Sequence, residues 1–258
     1  MAANGVFGAK PVILGHRGCG RGIVAGYEEN TLESFLAAVE LGIDWLEVDV
    51  HRTSDDQLVV AHHPADDDGV FYADITGNEA SGRGAVHLEE LLEALAPEIG
   101  VDFDLKTSIE DAARSRAATT AALLASVASR AARRRPVLVT SFDASALHIV
   151  REVGAGVPTG LLTWVRFPIG QAVAAAAHLD VQVLASHWGS LRPDRVEAES
   201  LHRPLEYVID MVHQVGREFL AWCPDPEFAQ ELLDVGADAV CVDDVPTFLR
   251  AGGGQAAA

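Results

Sequence analysis

The sequence predicts a single-domain α/β protein folded as a (β/α)₈ barrel, also called a TIM barrel. Eight short apolar runs alternate with eight helical patterns, which is the element count of such a barrel. The length of 258 residues suits one undivided α/β barrel, and no linker or change of composition divides residues 1–258. Neither GxGxxG nor GxxxxGK[ST] opens a helix, so an open nucleotide-binding sheet is disfavoured.

The predicted strands are short apolar runs that end at polar or glycine residues. The first run, Val12-Ile13-Leu14, ends at Gly15, and the others follow at regular intervals. An additional strand over 57–61 extends the second β unit. The eight barrel strands are predicted over 12–15, 44–50, 100–105, 136–140, 157–162, 181–185, 218–222 and 239–242.

Each strand is followed by a predicted helix, and several helices begin at capping residues. Asn30 precedes one helix and Ser108 another, both in N-cap positions. Arg133-Arg134-Arg135 ends the longest helix, where cations favour the negative end of the dipole. Helices are predicted near 31–41, 88–96, 108–132, 143–153, 168–178, 203–215, 226–234 and 245–250.

Two segments lie outside the predicted strands and helices. Residues 65–86 are polar and rich in glycine, which indicates a long βα loop, and such loops border the active face of a barrel. The glycine- and alanine-rich tail from about residue 252 is predicted to be frayed.

The net charge and the cysteine content limit the kinds of partner that the chain is expected to bind. The formal net charge of −19 disfavours binding to nucleic acid or to anionic membrane surfaces, since both reward basic residues. Cys19, Cys223 and Cys241 are far apart and form no CxxC motif, so neither a disulfide framework nor a zinc site is expected. With no visible leader and no apolar stretch of about 20 residues, we predict a cytoplasmic protein without stable membrane insertion. A homo-oligomer stays an open alternative.

Carboxylates on two predicted strands point to a metal site. Side chains of a strand alternate between its faces, so Glu47 and Asp49 share one face, and Asp102, Asp104 and Lys106 share another. Inside a barrel, buried acids are costly unless a cation holds them. Internal ion pairing is one explanation. A hard divalent cation, Ca²⁺ or Mg²⁺, is favoured because the acids outnumber what one lysine neutralises.

Two histidines and two cations accompany these acids. His16 ends the first strand and His62 ends the next extended segment, so they could flank a scissile bond as general acid and general base. Arg17 and Lys106 are the nearest cations, and both side-chain types bind phosphate oxygens. Against a net charge of −19, they indicate an anion bound beside a metal.

The order of these motifs resembles the glycerophosphodiester phosphodiesterase family. The resemblance is dense over residues 12–64 and thinner after residue 106. The segments that carry it are His16-Arg17-Gly18, Glu28-Glu29-Asn30-Thr31-Leu32, Glu47-Val48-Asp49-Val50, Thr53-Ser54-Asp55-Asp56, Val59-Val60-Ala61-His62-His63-Pro64, Asp104-Leu105-Lys106, Ser141-Phe142-Asp143, Trp222-Cys223-Pro224-Asp225 and Gly236-Ala237-Asp238.

The resemblance implies a TIM barrel and the metal-dependent hydrolysis of glycerophosphodiesters to glycerol 3-phosphate and an alcohol. It leaves open whether water or the glycerol 2-hydroxyl attacks the phosphorus. It also implies a role for each matched residue. These roles are His16 and His62 as the acid/base pair, Arg17, Lys106, Glu29, Asn30 and Trp222 as substrate or phosphate binders, and Glu47, Asp49 and Asp104 as ligands of Ca²⁺ or Mg²⁺.

The chain departs from the family pattern at several positions. Glu28 replaces a proline, Asp104 is one methylene shorter than the usual glutamate, and His63 replaces an aspartate. The segment at Trp222 lacks an asparagine, and the loop over 65–86 is short for the family. A short loop predicts an open pocket and a less restricted leaving group.

Two alternative functions are weighed against this hydrolysis. Lysophospholipase D-like hydrolysis of lysophospholipids would need an apolar groove, which Trp164, Phe167, Trp188 and Trp222 could supply. A non-catalytic binder of phosphorylated ligands would not need both histidines, so this alternative is disfavoured.

Overall fold

The computed structural model describes residues 5–192 and 202–253, and within them it confirms the predicted barrel. The chain alternates strands with helices as the apolar pattern predicts. The strands are β1 (Val12–His16), β2 (Ile23–Val24), β3 (Tyr27–Glu28), β4 (Trp45–Arg52), β5 (Leu58–Val60), β6 (Val86–His87), β7 (Gly100–Leu105), β8 (Val137–Ser141), β9 (Thr159–Thr163), β10 (Val183–His187), β11 (Glu218–Trp222) and β12 (Ala239–Val242). The helices are α1 (Leu32–Glu40), α2 (Gly77–Gly82), α3 (Leu88–Ala94), α4 (Thr120–Ala131), α5 (Ala144–Val153), α6 (Ile169–Leu179), α7 (Leu205–Gln214), α8 (Pro226–Asp234) and α9 (Val245–Phe248).

Eight parallel strands close into the barrel. Their order is β1-β12-β11-β10-β9-β8-β7-β4, and β1 also pairs with β4, which completes the circle. The register aligns His16 with Glu47, and Asp49 with Asp104. Because the strands are parallel, their carboxyl ends meet at one mouth, and this register brings the polar residues of β1, β4 and β7 together there.

The core has two layers that follow the alternation of each strand. Leu46, Val48 and Val50 point outward and pack under the helices with the larger hydrophobic cluster. Inward-facing residues such as Leu14 fill the barrel. At the amino-terminal end of the barrel, Phe7 packs edge-on against Trp45 with ring centroids 5.2 Å apart. The apolar filling therefore occupies this end, and the carboxylates occupy the mouth.

The predicted loop over 65–86 is a small folded lobe. It contains a turn at Tyr72–Asp74 and helix α2, and β5 and β6 add antiparallel strands to the end of β4. The lobe has its own apolar cluster. This cluster consists of Val59, Ala61, Tyr72, Ala80 and Ala85. The predicted βα loop thus contains local structure, because a few buried apolar side chains suffice to fold a polar, glycine-rich segment.

The long helix predicted over 108–132 is wrong in its first half. Ser108 caps a single turn at Ile109–Ala113, a second turn covers Arg116–Ala118, and α4 begins only at Thr120. The carboxylate of Asp111 accepts a hydrogen bond from the Thr120 backbone N–H at 2.7 Å, which folds the first turn back on the start of α4. A competing local hydrogen bond thus divides the helix.

Two predicted caps act elsewhere. Thr31, not Asn30, caps α1, because its hydroxyl accepts from the Ser34 backbone N–H. Arg135 donates to the carbonyl oxygens of Leu92 at 2.7 Å and Leu95 at 3.1 Å, so it caps the end of α3 rather than that of its own helix. Each side chain serves a neighbouring element that the local pattern does not reveal.

The carboxyl-terminal prediction is only partly covered. Leu249–Gly253 forms a final turn, and residues 254–258 of the predicted tail lie outside the described residues. Among the helices described, none combines the length and apolar character needed to cross a membrane.

Candidate active site

Three carboxylates meet inside the mouth of the barrel. Glu47 and Asp49 come from β4, Asp104 comes from β7, and all three are buried. One oxygen of each lies within 4.8 Å of the others. The period-two alternation therefore brings the three predicted ligands together, as it must when acids on adjacent strands face the same interior.

Two cations lie against this carboxylate cluster and concentrate on its middle member. Lys106 Nζ lies 2.8 Å from Asp49 Oδ1 and also contacts Asp104 Oδ2. Arg17 Nε lies 3.1 Å from Asp49 Oδ2. Burial opposes the charge on Asp49, but the His62 hydrogen bond and the charges of Lys106 and Arg17 hold its pKa well below the usual value.

The other two carboxylates are less well compensated. Burial and the neighbouring acids raise the pKa of Glu47 well above its usual value, and burial raises that of Asp104 although Lys106 opposes it. Asp104 Oδ1 is buried without a hydrogen-bond partner among the described residues. Two basic side chains face three carboxyl groups here, so the cluster has more acidic than basic groups and one oxygen without a hydrogen-bond partner. An all-oxygen donor set of this kind fits a hard divalent cation.

Asp102 lies one layer deeper and differs from these acids. It is buried in the barrel, and its Oδ1 accepts a hydrogen bond from the Thr140 hydroxyl at 2.9 Å. Burial raises the pKa of Asp102 well above its usual value, although the Thr140 hydrogen bond opposes the shift. We therefore assign Asp102 to the structural core of the barrel.

His62 is oriented by the same network. Its Nδ1 lies 3.3 Å from both oxygens of Asp49, and its Nε2 lies 3.1 Å from Arg17 Nη2. A guanidinium group only donates, so Nε2 accepts and Nδ1 carries the proton toward Asp49. From behind, His51 Nε2 donates to the carbonyl oxygen of His62 at 3.3 Å. Burial lowers the pKa of His51 to about 4, which keeps it neutral.

His16 is held by a residue that the sequence reasoning missed. Its Nδ1 is hydrogen-bonded to Asp243 Oδ1, which directly follows β12, and its Nε2 lies 3.7 Å from Glu47 Oε2. Burial opposes the charge on Asp243, but His16 and Cys223 lower its pKa. The rule that drew attention to Glu47, an acid at the end of an apolar strand, applies equally to Asp243 and could have found it.

Glu29 and Asn30 brace the two central groups. Glu29 Oε1 accepts from Arg17 Nη1 at 2.6 Å, and Asn30 Nδ2 donates to Asp49 Oδ2 at 3.0 Å. Arg17 and Asn30 both adopt left-handed backbone conformations, with φ of 54° and 58°. Such conformations are unfavourable for side chains larger than glycine and cluster at functional sites. Both side chains reach Asp49 of the carboxylate cluster from these positions.

Trp222 stands on an aromatic wall beside the cluster. Phe142 stacks on Trp164 with centroids 4.2 Å apart, and Trp222 packs edge-on against Phe142 at 6.0 Å and His187 at 4.4 Å. Lys106 Nζ lies 5.9 Å above the Phe142 ring and links the wall to the carboxylates. Trp164 is 64% exposed, and Trp222 Nε1 is buried without a hydrogen-bond partner among the described residues.

The other two aromatic residues named from the sequence differ in their relation to this wall. Trp188 contacts it through His187, with ring centroids 5.4 Å apart, whereas Phe167 makes no ring contact with it among the described residues. Trp188 packs edge-on against Phe228 at 6.4 Å, and Phe167 packs against the outer hydrophobic cluster. Of the ten predicted site residues, nine form one connected polar network and Trp222 borders it. The network consists of His16, Arg17, Glu29, Asn30, Glu47, Asp49, His62, Asp104 and Lys106.

Comparison with known proteins assigns a family to this arrangement. The sequence profile of the glycerophosphoryl diester phosphodiesterase family matches residues 16–247. A glycerophosphodiester phosphodiesterase from Caldanaerobacter subterraneus subsp. tengcongensis is 24% identical over 263 residues, covering 93% of this chain and 97% of the relative. "Probable glycerophosphodiester phosphodiesterase 2" from Mycobacterium tuberculosis is 27% identical over 238 residues, covering 83% and 81%.

A solved structure supports the fold. The Oleispira antarctica phosphodiesterase in complex with the product sn-glycerol-3-phosphate superposes with a TM-score of 0.70 at 21% identity, covering 95% of this chain and 97% of that one. At this level of identity the superposition establishes a shared barrel.

Proposed function

This chain belongs to the glycerophosphoryl diester phosphodiesterase family, and on that premise we propose that it hydrolyses glycerophosphodiesters to glycerol 3-phosphate and an alcohol. The observation that carries the proposal is the buried cluster of Glu47, Asp49 and Asp104 beside two cations and two histidines. Hydrolysis needs charge stabilisation at phosphorus and proton transfer on either side of it, and this set of groups supplies both. The product bound to the Oleispira antarctica relative is consistent with this reaction.

We assign the three carboxylates to a divalent cation, Ca²⁺ or Mg²⁺. The unsatisfied Asp104 oxygen and the excess of negative charge support this assignment. When bound, such a cation polarises a phosphoryl oxygen and lowers the pKa of an oxygen nucleophile. Asp104 reaches the cluster in spite of its short side chain, because β7 places it level with Asp49.

Arg17 and Lys106 are the proposed phosphate ligands. Glu29 and Asp49 hold the Arg17 side chain in one orientation, so little order has to be gained when a phosphate binds. The Lys106 ammonium has three N–H donors and contacts two carboxylates. Burial opposes its charge, but Asp104 and Asp49 raise its pKa, so it stays protonated during turnover.

The two histidines are proposed to transfer the protons. In each ring a carboxylate faces Nδ1. Nε2 of His16 therefore points toward Glu47 of the carboxylate cluster, and Nε2 of His62 points toward Arg17. One histidine takes the proton of the attacking hydroxyl while the P–O bond to the alcohol breaks, and the other protonates the leaving alkoxide. If the glycerol 2-hydroxyl attacks, a cyclic phosphate forms first and water then opens it. Phosphorus-31 NMR during turnover distinguishes the two routes.

Metal removal is the test of this function. The protein is treated with EDTA, and release of glycerol 3-phosphate from glycerophosphocholine is measured before and after addition of Ca²⁺ or Mg²⁺. We expect turnover to vanish and to return with the metal. Full turnover by the stripped protein would rule out the metal-dependent mechanism. Phosphate-ester binding without turnover of any diester in a head-group panel would favour the non-catalytic binder instead.

Lysophospholipid hydrolysis is a second candidate, supported by apolar surface next to the aromatic wall. Trp164 and Val165 are 64% and 53% exposed, and the loop after them leads to a cavity of about 530 Å³ whose lining includes Phe167, Val173 and Met211. An acyl chain could lie there while its phosphate occupies the site. Comparing kcat/KM for glycerophosphocholine and lysophosphatidylcholine decides between the two substrates.

We also propose a cytoplasmic location. All three cysteines, Cys19, Cys223 and Cys241, are free, and two of them are buried. Free thiols suit a reducing compartment. Fractionation of the native source, with detection of the chain in the cytosolic fraction, tests this location.

A further inference from the structure

A second group of metal-ligating side chains lies on the opposite side of His16 from Glu47. It consists of His16, Cys223 and Asp243, from the ends of β1, β11 and β12, and one ligand atom of each lies within 4.8 Å of the others. Cys223 Sγ lies 3.2 Å from Asp243 Oδ1 and 3.6 Å from His16 Nδ1. We call this group the thiol cluster. It differs from the carboxylate cluster in offering nitrogen and sulfur as well as oxygen.

The separations within the thiol cluster suit a tetrahedral ion. Bonds of about 2.0–2.1 Å to nitrogen or oxygen and about 2.3 Å to sulfur require ligand atoms about 3.3–3.6 Å apart. The two sulfur distances already lie close to this range. Only the hydrogen bond between His16 and Asp243 has to open when an ion enters.

The local structure holds Cys223 toward His16. Its backbone N–H donates to the carbonyl oxygen of Cys241 at 2.8 Å, and its φ of 58° is left-handed. Cys223 and Asp243 are only partly buried, so the cluster can be reached from solvent, whereas the other two cysteines are buried. The cysteine spacing in the sequence predicted no zinc site, because spacing cannot show ligands that come from three separate strands.

We propose that His16, Cys223 and Asp243 bind a borderline or soft divalent cation such as Zn²⁺, and that this cation inhibits the hydrolase. Thiolate and imidazole ligands select such ions, whereas Ca²⁺ and Mg²⁺ prefer the all-oxygen carboxylate cluster. The cation would bond to His16 Nδ1, Cys223 Sγ and Asp243 Oδ1, and the thiol proton would be lost to solvent.

Inhibition follows from the shared histidine and rests on the proposed function. A cation on Nδ1 leaves the proton of the ring on Nε2, which is the nitrogen that faces Glu47. His16 then loses the hydrogen bond from Nδ1 to Asp243 and can no longer accept a proton at Nε2. Either acid/base role of His16 requires that proton to come and go, so zinc would stop turnover with the carboxylate cluster still filled.

The test uses the full chain in excess Mg²⁺, which fills the carboxylate cluster. Co²⁺ is titrated into the wild type, Cys223→Ser and Cys223→Ala, with Cys19→Ser as the matched control. Cys19 is buried, and its thiol donates to the Ser34 carbonyl oxygen, away from His16. The thiolate-to-cobalt absorption in the near ultraviolet reports binding without any need for turnover. Zinc inhibition is measured relative to the zinc-free rate of each variant.

We expect one equivalent of Co²⁺ to produce the absorption in the wild type and in Cys19→Ser, and none in the two Cys223 variants. The zinc concentration needed for half-maximal inhibition should rise in these variants by about 10–100-fold or more. Mutation of residues that only support metal ligands already causes losses of this size, and Cys223 is a proposed ligand itself. A wild type without the absorption would overturn the site. Equal zinc inhibition in the wild type and in folded Cys223→Ala, or zinc stimulation, would overturn the inhibitory role.

Discussion

The two halves of the barrel mouth are built from different chemistry. The half formed by β1, β4 and β7 gathers buried acids around Arg17 and Lys106, which form ion pairs with Asp49 and Asp104. The half formed by β8, β9 and β11 presents the aromatic wall, with Trp164 largely exposed. We call these the charged half and the aromatic half.

The difference between the halves indicates that catalysis depends on the charged half and substrate selectivity on the aromatic half. A buried charge is expensive unless its partners are placed accurately, so residues of the charged half constrain one another. Aromatic contacts tolerate changes of shape, because their stabilisation depends mainly on buried area. We therefore expect substitutions in the charged half to change kcat and substitutions in the aromatic half to change KM.

The largest expected effect comes from the two histidines. His16→Asn and His62→Asn should each lower kcat by about 10²–10⁴-fold, the usual contribution of general acid–base catalysis. Steady-state turnover of a glycerophosphodiester measures this loss. Trp164→Ala, in the aromatic half, is the control and should retain kcat within a small factor. A similar loss of kcat in all three variants would erase the distinction between the halves.

The second expected effect is on stability and belongs to the charged half. The pKa of buried His51 is lowered to about 4, against about 6.5 in the unfolded chain. As the pH falls from about 6.5 to about 4, the unfolded chain binds a proton first, so folding stability falls by up to about 3 kcal/mol. A cation bound nearby would lower this pKa further and preserve the sign.

His51→Gln keeps an N–H donor for the His62 carbonyl oxygen but cannot titrate. Urea unfolding across this pH range should therefore show a shallower loss of stability than in the wild type. Parallel pH profiles for the two proteins would show that His51 does not contribute to acid sensitivity.

The third effect sharpens the comparison from the aromatic half. Trp222→Ala removes edge-on contacts to Phe142 and His187, and each such contact contributes about 0.5–1.5 kcal/mol. We expect KM to rise by about 10-fold with kcat nearly unchanged, as for a group that binds substrate and transition state equally. A loss confined to kcat would place Trp222 with the charged half. Trp222→Phe should restore most of the affinity.

The smallest effect separates two acids on one strand. Asp102 and Asp104 are two residues apart on β7 and face the same interior, but only Asp104 lies in the carboxylate cluster. Because Asp102 pairs with the Thr140 hydroxyl below the carboxylate cluster, Asp102→Asn should change turnover little. Asp104→Asn should weaken metal binding, measured by calorimetry with Mg²⁺. Equal losses of metal affinity would contradict the assignment of Asp102 to the core.

Much of the charged half could be predicted from the sequence because its geometry is local. Alternation along a strand predicts that Glu47 and Asp49 share a face, and it places Asp104 correctly in the same way. The strand-end rule could have marked Asp243 as a candidate, but it could not pair Asp243 or Cys223 with His16, because these contacts span 227 and 207 positions of the chain. Only closure of the barrel brings such residues together.

The prediction of secondary structure was wrong where a side chain forms a hydrogen bond with a group that the local sequence pattern does not indicate. Asp111 divides the predicted helix over 108–132 because its carboxylate binds the Thr120 backbone. Asn30 is an acceptable cap by residue type, but its amide serves Asp49 instead. Propensity describes the isolated segment, whereas these bonds depend on what the fold places next to it.

The left-handed backbone at Arg17, Asn30 and Cys223 bears on how this sequence can evolve. Glycine would relieve roughly 1–2 kcal/mol at each of these positions, while removing the side chain that points into the mouth. Selection for solubility or heat resistance alone should therefore enrich glycine at these three positions. Selection for growth on a glycerophosphodiester, from which the proposed reaction would release glycerol 3-phosphate, should purge it from Arg17 and Asn30. At each position, the glycine frequencies in two such libraries would thus distinguish a residue that only lowers stability from one whose side chain the reaction needs.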